Sequence, residues 1–450
     1  MFASNKTAIL AAQKVTRHDF SCLPLSNLPL EILEGVGQNL SLPDISCLRL
    51  ACKSFATKMY GSYIGTFFAE RSFLVSDKTT METLRELTAD VGLVKHVRCL
   101  RFSVHSLNTN SDIVLLQRCR QDTNRAARTP RLAVRRLYNE LKQEEHDFYK
   151  TGLAIVLQSI FQNLKMAGIC VQISLERGYS TGDGAYSPWG VKRIRDVLGI
   201  ESNVSLLTNN DDRLYYDEIC RAIGEVQYRA RGLNMGTQHS LSYTKSPHDL
   251  SWFSALTTKL PVSHLRELRT YVEANPLRSR RDVSVHDLDR HQYIHDFVSF
   301  IARASNLNVL SIEQGFNMGD LNGMRHQYAE LFRDVFHAIG TRTYLNGTSL
   351  QLPAGVKLLP KLKTLELVYH MVSLDLLLEF CRQRKNTLDT VILKRLADLG
   401  HEHPRAAEQI REVIDATPNA RCMVSVEGCW QVRRENSGSW AANEGSSFQT

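Results

Sequence analysis

Few residues in this chain are typed and spaced for chemistry. His401-Glu402-His403-Pro404 brings two imidazoles and a carboxylate within three positions. Neighbouring side chains on a helix or strand point apart, so one metal ion could not take both rings in regular structure, and Pro404 marks a solvated turn. Gly178-x-x-x-Gly182-x-Gly184 has the glycine density of a phosphate-cradling loop. It lacks the Lys-Ser/Thr pair that closes such a loop and the strand-to-helix setting of a dinucleotide fingerprint, so it reads as a flexible connection. No His-Glu-x-x-His pair occurs. The ten cysteines are scattered without a Cys-x-x-Cys pair, a pattern of buried thiols in a reducing compartment, cytoplasmic and/or nuclear. The expectation is a non-enzymatic chain with no catalytic residues, no metal and no cofactor.

One charge cluster stands apart. Arg118, Arg120, Arg125, Arg128, Arg131, Arg135 and Arg136 face only Asp122, a net +6 that could meet phosphates or an acidic protein partner. Leu132, Val134 and Leu137 mark part of the run as helical, and no aromatic residues interleave it. A solvated helix face is therefore the simpler reading, and nucleic acid is not favoured as a partner. Trp189 and Trp252-Phe253 could anchor a target peptide, although aromatic residues more often fill cores. The whole chain carries +8 over 450 residues, too little excess to imply a polyanionic partner. With 43% apolar and 23% charged residues it excludes collagen-like and wholly disordered classes. No eighteen apolar residues run together, so no membrane span is expected.

The elements that would position these residues fall into two styles. From 26 to 71 the chain is dense in apolar residues at helical spacing. Pro29 and Glu31 open a first helix bearing Ile32, Leu33, Val36 and Leu40, and Leu42-Pro43-Asp44 opens a second. Ile45, Leu48, Cys52, Phe55 and Met59 then recur at steps of three and four, which keeps them on one face. So small a unit holds more apolar residues than it can hide, and so requires something to pack against.

After residue 72 short β-like runs appear behind amphipathic helices. Val97-x-x-Leu100-x-Phe102, Leu307-x-x-Leu310-x-Ile312, Leu362-x-x-Leu365-x-Leu367 and Leu388-x-x-Val391-x-Leu393 are apolar at positions 1, 4 and 6, with Cys170-x-x-Ile173-x-Leu175 a looser version. Helical patterns at Thr151–Leu164, His291–Ala304 and Leu374–Arg384 precede strands. The last two matches lie 26 residues apart, within the period of leucine-rich repeats. The expected fold is mixed α/β: an N-terminal three-helix module, then an irregular solenoid of helices and parallel strands over 72–433. Residues 176–285 show no convincing repeat and read as a large insertion. Residues 1–25 and 434–450 read as disordered ends.

Leu28-Pro29-x-Glu31-Ile32-Leu33, followed by Leu42-Pro43-Asp44-Ile45-x-x-Leu48-Arg49-Leu50-x-Cys52-Lys53-x-Phe55, resembles the F-box. Phe55 stands where tryptophan is commonest, and the setting looks like the fungal type with divergent leucine-rich repeats. The resemblance implies a substrate-receptor subunit of an SCF-type ubiquitin ligase. Its F-box would dock on a Skp-family adaptor, and through it a cullin scaffold, while the repeats bind an unknown target protein. Adaptor docking would involve Leu28, Pro29, Ile32, Leu33, Ile45, Leu48, Cys52 and Phe55. Burying four or five such side chains contributes roughly 1.5–3 kcal/mol each before the cost of association. The alternatives are a binding module outside any ligase, using the basic helix, or an enzyme with an unrecognised site in 176–285.

Overall fold

The computed structural model describes residues 28–37, 39–107, 128–176, 188–199, 207–208, 212–235, 260–273, 295–315, 337–339, 358–368, 374–384, 386–394, 423–427, 430–434 and 440–443. They divide into two compact units, with the boundary between Glu70 and Arg71.

The first unit is helical: α1 (Leu30–Gly37), α2 (Leu42–Ala51), α3 (Lys53–Lys58) and α4 (Tyr60–Glu70). The second helix expected from sequence is broken at Cys52, which adopts extended backbone, and again at Met59, giving four segments where three helices were expected. Capping explains the breaks. The Ser41 hydroxyl accepts from Asp44 N at 3.4 Å and so starts α2, and the Cys52 thiol accepts from Phe55 N at 3.4 Å and so starts α3. The unit closes on its own core of Leu33, Ile45, Phe55 and Met59, with Leu28, Leu40, Cys52 and Tyr63 packed against it. Gly37 is buried where α1 meets α4: a Cβ there would lie 2.8 Å from Met59 Cε and 2.9 Å from Ser62 Cβ. Only glycine allows that approach without a shift.

The second unit is mixed α/β. Its sheet runs β1 (Ser72–Leu74), β2 (Cys99–Ser103), β4 (Gln172–Glu176), β6 (Gly232–Met235), β7 (Glu267–Glu273), β8 (Val309–Gly315), β9 (Thr364–Val368), β10 (Thr390–Lys394) and β11 (Met423–Glu427), every neighbouring pair parallel. Order in the sheet follows order in the chain, as in a solenoid, where each repeat buries its apolar face by stacking on the next. Parallel strands need long crossovers, and helices supply them: α5 (Lys78–Ala89), α8 (Leu153–Met166), α10 (Asp212–Val226), a helical stretch at 295–303, and α11 (Leu374–Gln383). α8 packs against both α5 and α10.

The repeat pattern becomes a register. Position 4 aligns Leu100, Ile173, Leu233, Leu268, Leu310, Leu365 and Val391 side by side, all buried. Position 6 aligns Phe102, Leu175, Met235, Thr270, Ile312 and Leu367 on the same face, since alternate residues of a strand share a side. Phe102 meets Phe161 of α8, which in turn meets Tyr228, so helices cover this face.

Two expectations are corrected. Residues 176–285 are not one insertion, because β6 and β7 are full members of the sheet between β4 and β8. Their repeats read Ala230-x-x-Leu233-x-Met235 and Leu265-x-x-Leu268-x-Thr270; alanine and threonine at apolar positions hid them. The tail is not featureless either, since β12 (Trp430–Arg434) and β13 (Trp440–Asn443) extend the sheet in antiparallel fashion. Residues 435–439 carry the disorder-like composition. Trp430 and Val432 of β12 and Trp440 of β13 are strand formers, while Ala441, Ala442 and Asn443 are not, so β13 forms against its local propensity by pairing with β12. Residues 1–25 lie outside the described residues.

A second apolar cluster joins Leu74, Leu107, Val134, Tyr138, Leu141, Val191, Ile194 and Leu198. It is built by α7 (Arg128–Thr151), α9 (Val191–Leu198) and β3 (Ser106–Leu107), which pairs antiparallel with β5 (Leu207–Thr208). Buried Glu145 of α7 accepts from Leu107 N at 3.2 Å and from the Tyr215 hydroxyl at 2.7 Å, tying α7 to β3 and α10.

Candidate functional site

In the helical unit, the eight residues predicted to meet an adaptor separate into two groups. Leu33, Ile45 and Phe55 are sealed in the unit's own core, so they hold the bundle together and present no docking surface, which corrects that expectation. Leu28, Leu48 and Cys52 are half-buried; Pro29 and Ile32 are exposed. The physical reason is angular. Leu33 lies 100° from Ile32 around α1 and turns toward α3 and α4, leaving Ile32 and Val36, four residues apart, on the outer side. Beyond the predicted set, Leu50 is 87% exposed, Ile32 53% and Leu30 45%, an uncommon display of large apolar side chains for one small unit. Arg49 stacks over the Tyr63 ring at 4.0 Å, a cation–π contact that fixes the end of α2 on α4.

The basic run meets a different fate. Arg118, Arg120 and Arg125 lie outside the described residues; Arg128 and Arg131 fall on α7. Arg135 and Arg136 are exposed there, and Arg136 pairs with Glu140 one turn on at 2.9 Å. From Arg135 on, Arg135, Arg136, Lys142 and Lys150 are matched by Glu140, Glu144, Glu145 and Asp147, so this part of the helix is charge-balanced rather than a cationic arm. Trp189 is in part a structural residue: it stacks on Phe73, its N–H donates to Ser72 O and its carbonyl accepts from Leu74 N. Trp252-Phe253, His401–His403 and the Gly178–Gly184 segment lie outside the described residues; Gly178 to Gly182 also fits the order Gly-x-Ser-x-Gly around Ser180, a match too short to carry chemistry alone.

Sequence reasoning missed the residues between the apolar positions. Position 5 of successive strands aligns Arg101, Ser174, Asn234, Arg269, Ser311 and Glu366 in one row on the face away from the helices. Ion pairs knit this polar face: Arg101 to Glu176 at 3.7 Å, and Arg269 both to Glu267 at 2.7 Å and, across the Ser311 strand, to Glu366 at 3.3 Å. Burial raises the Glu176 carboxyl above its ordinary range, opposed in part by the Arg101 charge. Burial likewise pushes the Cys99 thiol up. A row of alternating charge and hydroxyl, half-exposed at its arginines, suits recognition of polar protein surface and lacks a nucleophile activated by a neighbouring base. The signal was present in part in sequence, since position 5 between the apolar positions 4 and 6 is Arg101, Ser174, Asn234, Arg269, Ser311 and Glu366, although Ile392 breaks it in the last repeat.

Among the described residues no group of three or more His, Cys, Asp or Glu side chains is arranged to hold a metal ion, and no helix is long and apolar enough to cross a membrane. No known family model matches the chain, and no curated protein resembles it closely enough to count as a relative.

Proposed function

We propose that the chain is a non-catalytic substrate receptor of an SCF-type ubiquitin ligase, its helical unit docking on a Skp-family adaptor and its strand arc binding a target protein. The observation that carries the reading is in the first unit. Four short helices close a complete core around Leu33, Ile45, Phe55 and Met59 and still leave Ile32 and Leu50 largely exposed. A module whose core is finished without those side chains has them free for another polypeptide. On the polar face of the sheet the part-exposed arginines Arg101 and Arg269 supply contacts for the target, while Ser174, Ser311 and Glu366 of the same row are buried. Such a receptor works by raising effective concentration, which needs two binding faces and no acid, base or nucleophile.

The test is co-elution of the full-length chain with purified Skp-family adaptor. Ile32→Asp and Leu50→Asp should abolish the complex without changing thermal unfolding, because both side chains are exposed in the free protein. Failure of the wild-type chain to bind adaptor at micromolar concentration refutes the assignment.

A further inference from the structure

Where the parallel strands begin, the sheet presents a different chemistry from its faces. Position 2 of the repeat, just ahead of each strand, joins its neighbours through one backbone ladder. Arg266 N donates to Arg231 O, Asn308 N to Arg266 O, Lys363 N to Asn308 O and Asp389 N to Lys363 O, each within 2.9 Å. Arg231 and Arg266 are therefore one strand spacing apart, about 4.8 Å, with Asn308 and Lys363 next in line. Two residues upstream, Arg229, His264 and Lys361 repeat the same march. Arg229, Arg231, Arg266 and Lys361 converge on a pocket of about 570 Å³ that His264 and Asn308 also line, and among the described residues no carboxylate stands in its wall.

Like charges on adjacent strands repel, and elsewhere in this sheet that repulsion is answered: Arg101 has Glu176, and Arg269 has Glu267 and Glu366. In the pocket it is not. Among the described residues Arg229, Arg231 and Arg266 have no acidic partner, and Lys361 donates only to the neutral Asn306 Oδ1 at 2.7 Å. A concave wall of guanidinium and ammonium groups, with side-chain amides beside them and no counter-charge among the described residues, is complementary to an anion bearing several negative oxygens. Its volume is that of a small-molecule site, and among the described residues no Phe, Tyr or Trp lines it to stack a base.

We propose that this pocket at the start of β6 to β9 is a binding site for a compact polyanion carrying two or more phosphate groups. Arginine forks would take separate phosphates, with Lys361 and Asn308 filling the remaining oxygens. Such a ligand would neutralise the row and brace four consecutive repeats against one another. The site lies wholly within the second unit and does not depend on the adaptor reading.

Inorganic triphosphate is the probe, titrated calorimetrically into the full-length chain at 150 mM salt. One equivalent should bind, more weakly as salt rises. Arg231→Gln and Arg266→Gln should each weaken binding by about tenfold, while Arg135→Gln on α7 leaves it unchanged. All three residues are exposed, so unfolding temperatures without ligand should match wild type. Cys170, exposed and in the pocket wall, gives a second readout: triphosphate should slow its alkylation by iodoacetamide and leave exposed Cys47 of the other unit unaffected. The proposal is overturned by absence of triphosphate binding, by equal losses in the Arg135→Gln control, or by unaltered Cys170 labelling at saturation. It is equally overturned if a twelve-nucleotide single-stranded RNA binds and triphosphate cannot displace it, which would make the surface a nucleic-acid track.

Discussion

Thr270 should be a residue whose replacement improves the protein. It occupies position 6 of β7, aligned with Met235 on one side and Ile312 on the other, in a column that faces the helices. It is 2% exposed, and its hydroxyl oxygen has no hydrogen-bond partner. A buried hydroxyl left unpaired costs about 1–3 kcal/mol, and valine has the same branched shape without it. Thr270→Val should therefore stabilise the second unit by about 1–2 kcal/mol. Thr270→Ser keeps the orphan hydroxyl and deletes a methyl group, so it should lose about 1 kcal/mol. Urea unfolding of the full-length chain, followed by circular dichroism, reads both. With a denaturant slope of roughly 3–5 kcal/mol/M for a unit this large, the valine variant should move the midpoint up by about 0.3 M. A valine midpoint at or below wild type would refute the reasoning, since it would mean that the hydroxyl is satisfied or that the column is not the core of the arc.

Gly37→Val places methyl groups where a Cβ alone already comes within 3 Å of Met59 and Ser62, and should cost the helical unit about 1–3 kcal/mol, seen as a lower melting temperature of that unit alone. Glu176 should couple stability to pH. Burial raises its folded pKa above the unfolded one, so its contribution is fully present below the ordinary glutamate value of about 4.3 and is lost as pH rises through the raised value. Glu176→Gln should accordingly gain stability relative to wild type from about pH 4 toward pH 7, and a difference that stays flat across that range in thermal melts would contradict the assignment.

The arc was legible where its repeats are chemically uniform. Leu307-x-x-Leu310-x-Ile312 and its two successors pair in the expected parallel order because leucine, isoleucine or valine at all three positions leaves the period in view. The β6 and β7 repeats escaped notice for the same reason in reverse: Ala230 at position 1 and Thr270 at position 6 present less apolar bulk, and the pattern fades although the register does not. In the helical unit the pattern was seen but its direction was not. A run of apolar residues at steps of three and four fixes a face, and it does not say whether that face turns to the unit's own core or to another molecule. Ile45 and Leu48 share one stripe in sequence, yet one is fully buried and the other half-exposed. The pocket cations were invisible to any local motif, because Arg231, Arg266 and Lys361 come together only through strand register across more than a hundred residues.

The same register divides labour among positions of the repeat. Positions 4 and 6 are held to apolar residues by burial against the helices, so substitution there is felt as stability. Position 2 carries no such constraint where Arg231, Arg266 and Lys363 are exposed, since backbone hydrogen bonds hold the strands whatever side chain stands there. Position 5 is mixed, with Arg101 and Arg269 part-exposed and Ser174, Ser311 and Glu366 buried. At position 5 they pair with one another, arginine to glutamate, whereas at position 2 Arg231 and Arg266 remain unanswered. A fold built this way can change its partners without rebuilding its core. That separation is why loss of binding without loss of melting temperature is the outcome that Arg231→Gln and Leu50→Asp must both give, each at its own surface.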